Sequence, residues 1–247
     1  MVLKDIIRKT LIFFHLDLTK NLQYDRFTKI IMKKNISKNH NCIDIGCHKG
    51  EILDIMLKYS PEGKHYAFEP IPYLFVELAK KYKNKAHIFP YALSDNNGHS
   101  TFQFVKNAPA YSGIKRRKYD VSNPQIEEIN VELKTLDEII PPNETIHFIK
   151  IDVEGGEFDV MKGAKNVLKK NKPLILFEFG KGASDYYETN PADLYDFIAK
   201  KIGLDIFTLK SFIDKHSPLT KLEFENYFNA NIEYYFVANN EKFIKRH

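Results

Sequence analysis

The chain has 247 residues, of which 43% are hydrophobic and 28% charged, a composition typical of a soluble globular protein with a substantial core. Lysine and arginine exceed aspartate and glutamate by only five residues, 37 against 32, a surplus that a lysine-rich surface accounts for. The two cysteines, Cys42 and Cys47, allow no disulfide framework and show no zinc-ligand spacing. We therefore expect a reducing, cytoplasmic setting.

Residues 2–18 carry apolar side chains at helical spacing, interrupted by charges. The longest apolar run is too short to cross a membrane, and no small-residue cleavage site follows it. Two interpretations stay open: a helix that packs on the core, or a basic amphipathic helix that contacts a partner or the inner face of a membrane. With a second helical pattern at residues 24–33, we predict an N-terminal helical extension over residues 1–38 and one domain over residues 39–247.

Beyond residue 39, short apolar runs alternate with helical patterns, which is typical of βαβ units and a parallel sheet. A first strand leads from Asn41 into a glycine-bearing turn. Further strands are predicted at residues 64–68, 86–93, 146–151, 173–177, 203–209 and 232–238, with an antiparallel pair at 99–105 and 130–134. Helices are predicted at residues 52–59, 73–82, 157–170, 192–200 and 222–228. Residues 135–138 have the T-x-x-E pattern of a helix capping box.

The connection over residues 106–128 is long and irregular, and such a connection inside a compact domain is usually functional or disordered. It contains a basic cluster, Lys-Arg-Arg-Lys, at residues 115–118. Its expected position near the carboxyl edge of the sheet makes it a candidate substrate lid. The alternative is a solvated mobile loop whose charges face water.

Four predicted strands end in a carboxylate: Asp44, Glu69, Asp152 and Glu178. Because the carboxyl ends of parallel strands meet at one edge, we expect these acids to converge where open α/β folds bind their ligands. The strand interiors are apolar, so the carboxylates are expected where the strands emerge and not buried midway along them.

The turn after the first strand has the pattern D-x-G-x-x-x-G, from Asp44 to Gly50, and its glycines would let the backbone approach a ligand closely. Glu69 follows Gly50 by 19 residues, where nucleotide-binding folds keep an acid for the ribose hydroxyls. The pattern is not the G-x-G-x-x-G of NAD enzymes, which disfavours an oxidoreductase. It better suits a cofactor with an amino-acid tail, whose ammonium needs an acidic environment.

Five motifs occur in order: C-I-D-I-G-C-H-K-G, F-E-P-I-P, A-L-S-D-N-N-G, T-L-D and I-K-I-D-V-E-G-G-E-F-D-V-M-K-G-A. Together they resemble the FkbM-type methyltransferases, class I enzymes that use S-adenosylmethionine. The resemblance runs from Asn41 to Glu178, and Gly156 stands where the family often has alanine. It implies an α/β, Rossmann-like fold with a mostly parallel seven-stranded sheet flanked by helices.

The resemblance also implies where the cofactor lies. The 44–50 turn would wrap its methionine part, Glu69 would bind the ribose, and Pro70 would flank the adenine. Asp152 would border both the methionine amino group and the methyl acceptor. The residues expected to contact the cofactor are Asp44, Gly46, Cys47, His48, Gly50, Glu69, Pro70, Ala92, Leu93 and Asp152.

Methyl transfer from a sulfonium needs an aligned acceptor oxygen in a dry pocket and a group that removes its proton. The predicted catalytic residues are Asp152, Glu154 and Glu178, while Glu157 is a further candidate base and His147 a less well placed one. A carboxylate needs desolvation, or concerted transfer, to act on a hydroxyl. The three acids could instead hold a divalent ion that acidifies the hydroxyl; we favour metal-free chemistry.

The resemblance predicts an O-methyltransferase that acts on a hydroxyl of a sugar, a glycan or a small natural product. The alternatives are a methyltransferase for RNA or protein and a non-catalytic cofactor-binding protein of the same fold. Nucleic acid is not favoured, because the 115–118 cluster is the single feature that supports it and such runs are usually solvated.

Overall fold

A computed structural model describes residues 19–240, so the predicted helix over residues 2–18 lies outside the described part of the chain. The described residues form one seven-stranded sheet with helices on both faces and a second, three-stranded sheet. None of the helices in this part of the chain is long and apolar enough to cross a membrane.

The strands are β1 (Cys42–Ile45), β2 (His65–Phe68), β3 (His87–Phe89), β4 (Tyr91–Leu93), β5 (Gly98–Val105), β6 (Ile126–Lys134), β7 (Phe148–Ile151), β8 (Leu174–Glu178), β9 (Asp205–Thr208) and β10 (Tyr235–Asn239). The α-helices are α1 (Lys20–Asn35), α2 (Glu51–Tyr59), α3 (Pro72–Lys81), α4 (Leu136–Ile139), α5 (Glu157–Gly163), α6 (Lys165–Asn171), α7 (Pro191–Asp196), α8 (Leu209–Ile213) and α9 (Lys221–Asn229). Short 3-10 turns cover Pro109–Tyr111 and Ser184–Tyr187, and a π-helical turn covers Phe197–Ile202.

The strand order of the large sheet is β3-β2-β1-β7-β8-β10-β9. The first five strands are parallel, and β10 runs antiparallel to both of its neighbours. The small sheet has the order β4-β6-β5, and its β5–β6 pair is antiparallel as the alternation predicted. The predicted fold class, a mostly parallel seven-stranded sheet flanked by helices, is confirmed.

Both faces of the central strands are buried, which explains why their sequences are apolar almost throughout. Successive residues of β7 point to opposite faces: Ile149 packs in the core cluster under α5 and α6, whereas Phe148 packs in the cluster under α1 and α2. Helix α1 contributes Phe27 and Ile31 to that second cluster, so this part of the predicted extension belongs to the packed core.

Two predicted elements are each divided in the structure. The strand over residues 86–93 is broken at Pro90, which has no N–H to donate. As a result β3 pairs with β2 in the large sheet and β4 pairs with β6 in the small one. The helix over residues 157–170 breaks at Ala164, next to Gly163, where an added Cβ would lie 2.0 Å from the Ser94 carbonyl oxygen.

The predicted capping box at residues 135–138 is wrong. Thr135 precedes α4 but its side chain caps none of the described backbone N–H groups. Asp137 instead accepts hydrogen bonds from the backbone N–H groups of Asn166, at 2.9 Å, and Val167, at 2.8 Å. The Glu138 carboxylate forms an ion pair with the Lys134 ammonium, at 3.4 Å. The Thr135 N–H, which the Glu138 side chain would accept in a capping box, donates instead to the Asn97 side-chain oxygen at 2.9 Å.

Candidate active site

The carboxyl ends of β1, β2, β7 and β8 meet at one edge of the large sheet and bring three of the predicted acids there. Glu69 follows β2, Asp152 follows β7, and Glu178 is the last residue of β8. Asp44 departs from the prediction, because it lies inside β1 and its side chain is 0% exposed. Asp44 is paired in register with Lys150 of β7, so the two charges share one face of the sheet.

Two adjoining cavities open at this edge. The first is lined mainly by apolar side chains, together with Glu69 and residues after β7. The second is a wider, more polar cleft that extends to α1, to the 180–186 turn and to β10. Gly46, His48, Ala110, Asp152 and Glu154 line both. A reacting atom at this shared wall can be reached from either side.

Glu69 lies in the first cavity and is 4% exposed. One carboxylate oxygen accepts a hydrogen bond from the His48 N–H at 2.8 Å and the other from the Ile71 N–H at 2.9 Å. Burial raises the pKa of Glu69 to about 7, although these two hydrogen bonds lower it in part. Because each carboxylate oxygen can accept more than one hydrogen bond, the group can still bind a pair of vicinal hydroxyls.

The structure gathers most of the predicted cofactor contacts at the two cavities. Pro70, Ala92 and Leu93 line the first cavity, and Cys47 lines the second. Neither Asp44 nor Gly50 is among the described residues that line the two cavities. Gly50 has a φ of 78°, and a Cβ at this position would lie 2.3 Å from the Tyr82 hydroxyl oxygen. The absence of a side chain at Gly50 thus makes room for the Tyr82 side chain, and a contact of Gly50 with the cofactor stays a prediction.

Asp152, Glu154 and Glu178 form an acid cluster, with one oxygen of each within 4.8 Å of the others. Asp152 and Glu154 belong to the shared wall, and Glu178 lines the second cleft beside them. Asp152 accepts a hydrogen bond from the Tyr235 hydroxyl at 2.9 Å, and the Lys150 ammonium lies 3.4 Å from the same oxygen. Lys150 also donates to the Gly46 carbonyl at 2.9 Å. This buried lysine thus joins the first turn to the acid cluster.

The three carboxyl groups have different pKa values for identifiable reasons. Burial would raise the pKa of Asp152, but the Lys150 ammonium and the hydrogen bonds from Glu178 and Tyr235 lower it below its usual value. Burial and the Asp152 charge raise the pKa of Glu178 well above its usual value, which favours its protonated form. Burial and the Asp152 charge also raise the pKa of Glu154 to about 8, although Arg117 opposes them.

The remaining candidate bases have structural roles. The Glu157 carboxylate is buried and accepts hydrogen bonds from the Val153 and Gly155 N–H groups, both at 3.0 Å, which fixes the turn that carries Glu154. His147 precedes β7 at the opposite end of the strand, where its ring stacks on His40 with 4.2 Å between centroids. His147 therefore lies away from the acid cluster, whereas Glu157 keeps one buried oxygen, Oε2, without a hydrogen-bond partner among the described residues.

The irregular connection covers residues 106–125, because β6 begins at Ile126. Within its basic cluster, Lys115, Arg116 and Lys118 are exposed, as expected of a solvated run. Arg117 is not: its side chain is 8% exposed and forms an ion pair with Glu154. The 106–125 segment also lines both cavities, which supports the interpretation of a lid over the interpretation of a free loop.

Sequence reasoning missed three residues of this site: Arg117, Lys150 and Tyr235. The sequence does contain a signal for Lys150, because a lysine within the buried apolar run of β7 needs an oppositely charged or hydrogen-bonding partner. Arg117 was indistinguishable from its charged neighbours, and Tyr235 from the other aromatic residues near the end of the chain.

Comparison with known proteins agrees with this geometry. Residues 44–203 match the Methyltransferase FkbM domain family. Over 144 residues the chain is 28% identical to the 2-O-methyltransferase NoeI of Sinorhizobium fredii, an alignment that covers 53% of this chain and 59% of the relative. Among solved structures, it resembles an FkbM methyltransferase from Methylobacillus flagellatus (TM-score 0.48, 15% identity, 82% of this chain and 44% of that one). It also resembles SMU.1697c from Streptococcus mutans in complex with SAH (TM-score 0.45, 8% identity, 86% and 95%).

Proposed function

This chain belongs to the FkbM methyltransferase family, and we propose that it transfers a methyl group from S-adenosylmethionine to a hydroxyl oxygen of a sugar, a glycan or a small natural product. The observation that carries the proposal is the acid cluster, in which Asp152 and Glu154 lie at the wall shared by two cavities. The lining of the first cavity suits a nucleoside, and the second cleft is open to an acceptor.

The lining of the first cavity supports the assignment of the cofactor to it. Phe68, Ile71 and Leu93 offer an apolar surface to an adenine ring, and Glu69 offers carboxylate oxygens to ribose hydroxyls. At the shared wall, the ionised Asp152 offers its charge to the methionine ammonium. When bound, S-adenosylmethionine supplies the electrophilic methyl group and leaves as S-adenosylhomocysteine.

The second cleft supports a polyhydroxylated acceptor. Its lining combines aromatic faces with carboxylate and amide groups, which suit the apolar faces and the hydroxyls of a sugar ring respectively. The preference for oxygen is supported by the name of the curated relative, a 2-O-methyltransferase. The tyrosines of the cleft are Tyr24, Tyr111, Tyr186, Tyr234 and Tyr235.

Among the three acids, we assign the proton transfer to Glu154. Asp152 already accepts hydrogen bonds from Tyr235 and Glu178 and has a lowered pKa, so it is a weak base. The raised pKa of Glu178 favours its protonated form, which cannot accept a proton. Burial and the Asp152 charge raise the pKa of Glu154 to about 8, so its carboxylate form is a stronger base than that of Asp152 and can take the proton of the acceptor hydroxyl as the oxygen attacks the methyl group.

We propose that this chemistry needs no divalent ion. Lys150 and Arg117 already supply positive charge to the acid cluster through ion pairs with Asp152 and Glu154, which disfavours a further cation among the three carboxyl groups. Activity that is unchanged by a strong chelator would support this proposal, whereas activity restored only by added Mg²⁺ or Mn²⁺ would refute it.

The proposed function is tested in two steps. Isothermal titration calorimetry should show binding of S-adenosylhomocysteine, which weakens by at least about tenfold in Glu69→Ala as two charge-assisted hydrogen bonds are lost. The control is Glu77→Ala, an exposed glutamate of α3 outside both cavities. Equal affinity in Glu69→Ala and wild type would refute the ribose assignment.

The second step is methyl transfer from labelled cofactor to a panel of glycans, lipids, RNA and proteins. Incorporation into glycans that requires Glu154 supports the acceptor class. Incorporation into RNA or protein alone would replace it.

A further inference from the structure

Arg117 reaches the acid cluster from a segment that is not part of the parallel sheet. Its guanidinium forms an ion pair with Glu154, and its side chain is as buried as those of many core residues. A second nitrogen donates to the Gly182 carbonyl at 3.0 Å, and the nitrogen that pairs with Glu154 also lies 3.4 Å from the Tyr111 carbonyl. One side chain therefore joins the 106–125 segment, the turn before residues 184–187 and Glu154.

Two aromatic rings confine the guanidinium further. Its central carbon lies 5.6 Å from the ring centroid of Tyr111 and 5.5 Å from that of Tyr119, within the range of cation–π attraction. The Nε atom is buried and has no partner among the described residues. The orientation of the group is thus set by its two terminal nitrogens and the two rings.

Contacts of neighbouring residues hold the same segment down on either side of Arg117. The Lys115 N–H donates to the Tyr187 hydroxyl at 3.2 Å, and the Lys118 N–H donates to the Tyr186 hydroxyl at 3.1 Å. These exposed lysines are tethered by their backbone, so the ion pair of Arg117 does not depend on their charges.

We propose that Arg117 is a positioning residue for Glu154, which it holds at the wall between the cofactor cavity and the acceptor cleft in a state able to accept a proton. This inference rests on the proposed function and adds a residue that the family motifs do not include.

The charges around Glu154 give the proposal its physical basis. The Asp152, Glu157 and Glu178 carboxyl groups and the Lys150 ammonium all face it. Burial and the Asp152 charge favour the protonated form, whereas Arg117, the cation in direct contact, favours the carboxylate. Without Arg117 the pKa of Glu154 would rise further, and a smaller fraction of Glu154 would be in the carboxylate form that can accept a proton.

The test is a direct titration of Glu154 in the full chain. Carboxyl-labelled glutamate signals are followed by ¹³C NMR against pH, and the Glu154 signal is the one that Glu154→Gln removes. The expected midpoint is about 8 in the wild type. In Arg117→Gln it should rise by about 1 to 3 pH units, the effect of removing an opposite charge at contact distance.

Two further variants separate charge from structure. Arg117→Lys keeps the charge and should return the midpoint most of the way to the wild-type value. Arg116→Gln, a change at an exposed neighbour, should leave it unchanged. A midpoint in folded Arg117→Gln that equals the wild-type midpoint overturns the proposal.

A readout in the wild type keeps the proposal testable even where Arg117→Gln does not fold. The ¹⁵N signals of the Arg117 guanidinium should shift with the Glu154 midpoint and lose that dependence in Glu154→Gln; signals insensitive to pH overturn the proposal. Calorimetry with S-adenosylhomocysteine separates a failure of the proposed function from a failure of the role assigned to Arg117. Failure of the wild type to bind counts against the proposed function, whereas binding without the midpoint shift counts against Arg117 alone.

Discussion

Gly155 offers a sharp test of how the turn that carries Glu154 is built. Its φ is 113°, a conformation that side-chain-bearing residues rarely adopt. A Cβ there would lie 2.6 Å from the Ala183 carbonyl oxygen and 2.7 Å from the Tyr187 ring. The neighbouring Gly156 has an ordinary φ of −85°, and its Cβ would lie 3.3 Å from the same ring.

The expected cost of Gly155→Ala follows from two contributions. Backbone strain contributes about 1–3 kcal/mol, and forcing a methyl group against backbone atoms contributes about 1–3 kcal/mol more. The free energy of unfolding should therefore fall by roughly 2–6 kcal/mol, a large part of the stability of a typical domain. Gly156→Ala should change it by less than about 1 kcal/mol, because reduced freedom of the unfolded chain offsets the tight contact.

Urea unfolding followed by circular dichroism measures both variants against the wild type. The matched pair controls for the loss of a glycine as such, since the two positions are adjacent and differ mainly in φ and in the atoms that face the Cβ. Equal destabilisation of the two variants, or a Gly155→Ala variant as stable as the wild type, would refute the reasoning.

Three further predictions concern the titratable groups. Affinity for S-adenosylhomocysteine should weaken as pH falls below about 7, where Glu69 becomes protonated, and calorimetry should show this slope disappear in Glu69→Gln. Tyr235→Phe removes a hydrogen bond to Asp152 and should lower the free energy of unfolding by about 0.5–1.5 kcal/mol; an unchanged urea midpoint would contradict it. Burial lowers the pKa values of the stacked His40 and His147, so their neutral forms stabilise the fold above about pH 6.5 and this stability is lost as pH falls. A His40→Leu variant should lose less stability than the wild type between pH 7 and pH 5, as judged by urea midpoints; identical losses would rule out the pair as the cause.

The sheet edge and most of the predicted cofactor contacts could be predicted because they follow from the local pattern of apolar and acidic residues. Apolar runs that end in Glu69, Asp152 or Glu178 place those acids at the carboxyl ends of strands, and parallel pairing then brings the ends together. Asp44 has the same local pattern and a different outcome, because its register opposite Lys150 gives the buried carboxylate a cation. Cross-strand pairing of this kind is not encoded by spacing along the chain.

The rest of the site depends on contacts between distant segments. The Arg117 side chain points into the site and Arg116 is exposed, although the two residues are adjacent in an irregular segment. The hydropathy of the sequence does not predict which of the two points inward. Likewise, Pro90 predicts an interruption, but whether a strand ends there or passes into a second sheet depends on a partner, β6, that lies more than thirty residues further along the chain.

The position of β10 in the sheet affects when the sheet and the candidate active site can be completed during synthesis of the chain. This strand is the last in the described chain, yet it lies between β8 and β9 in the interior of the sheet. Until residues 235–239 have emerged from the ribosome, β8 and β9 have no strand to join them, and Asp152 lacks its Tyr235 hydroxyl. A nascent chain can thus assemble the Glu69 side of the site early, while Asp152 gains its hydrogen bond from Tyr235 only when β10 has joined the sheet.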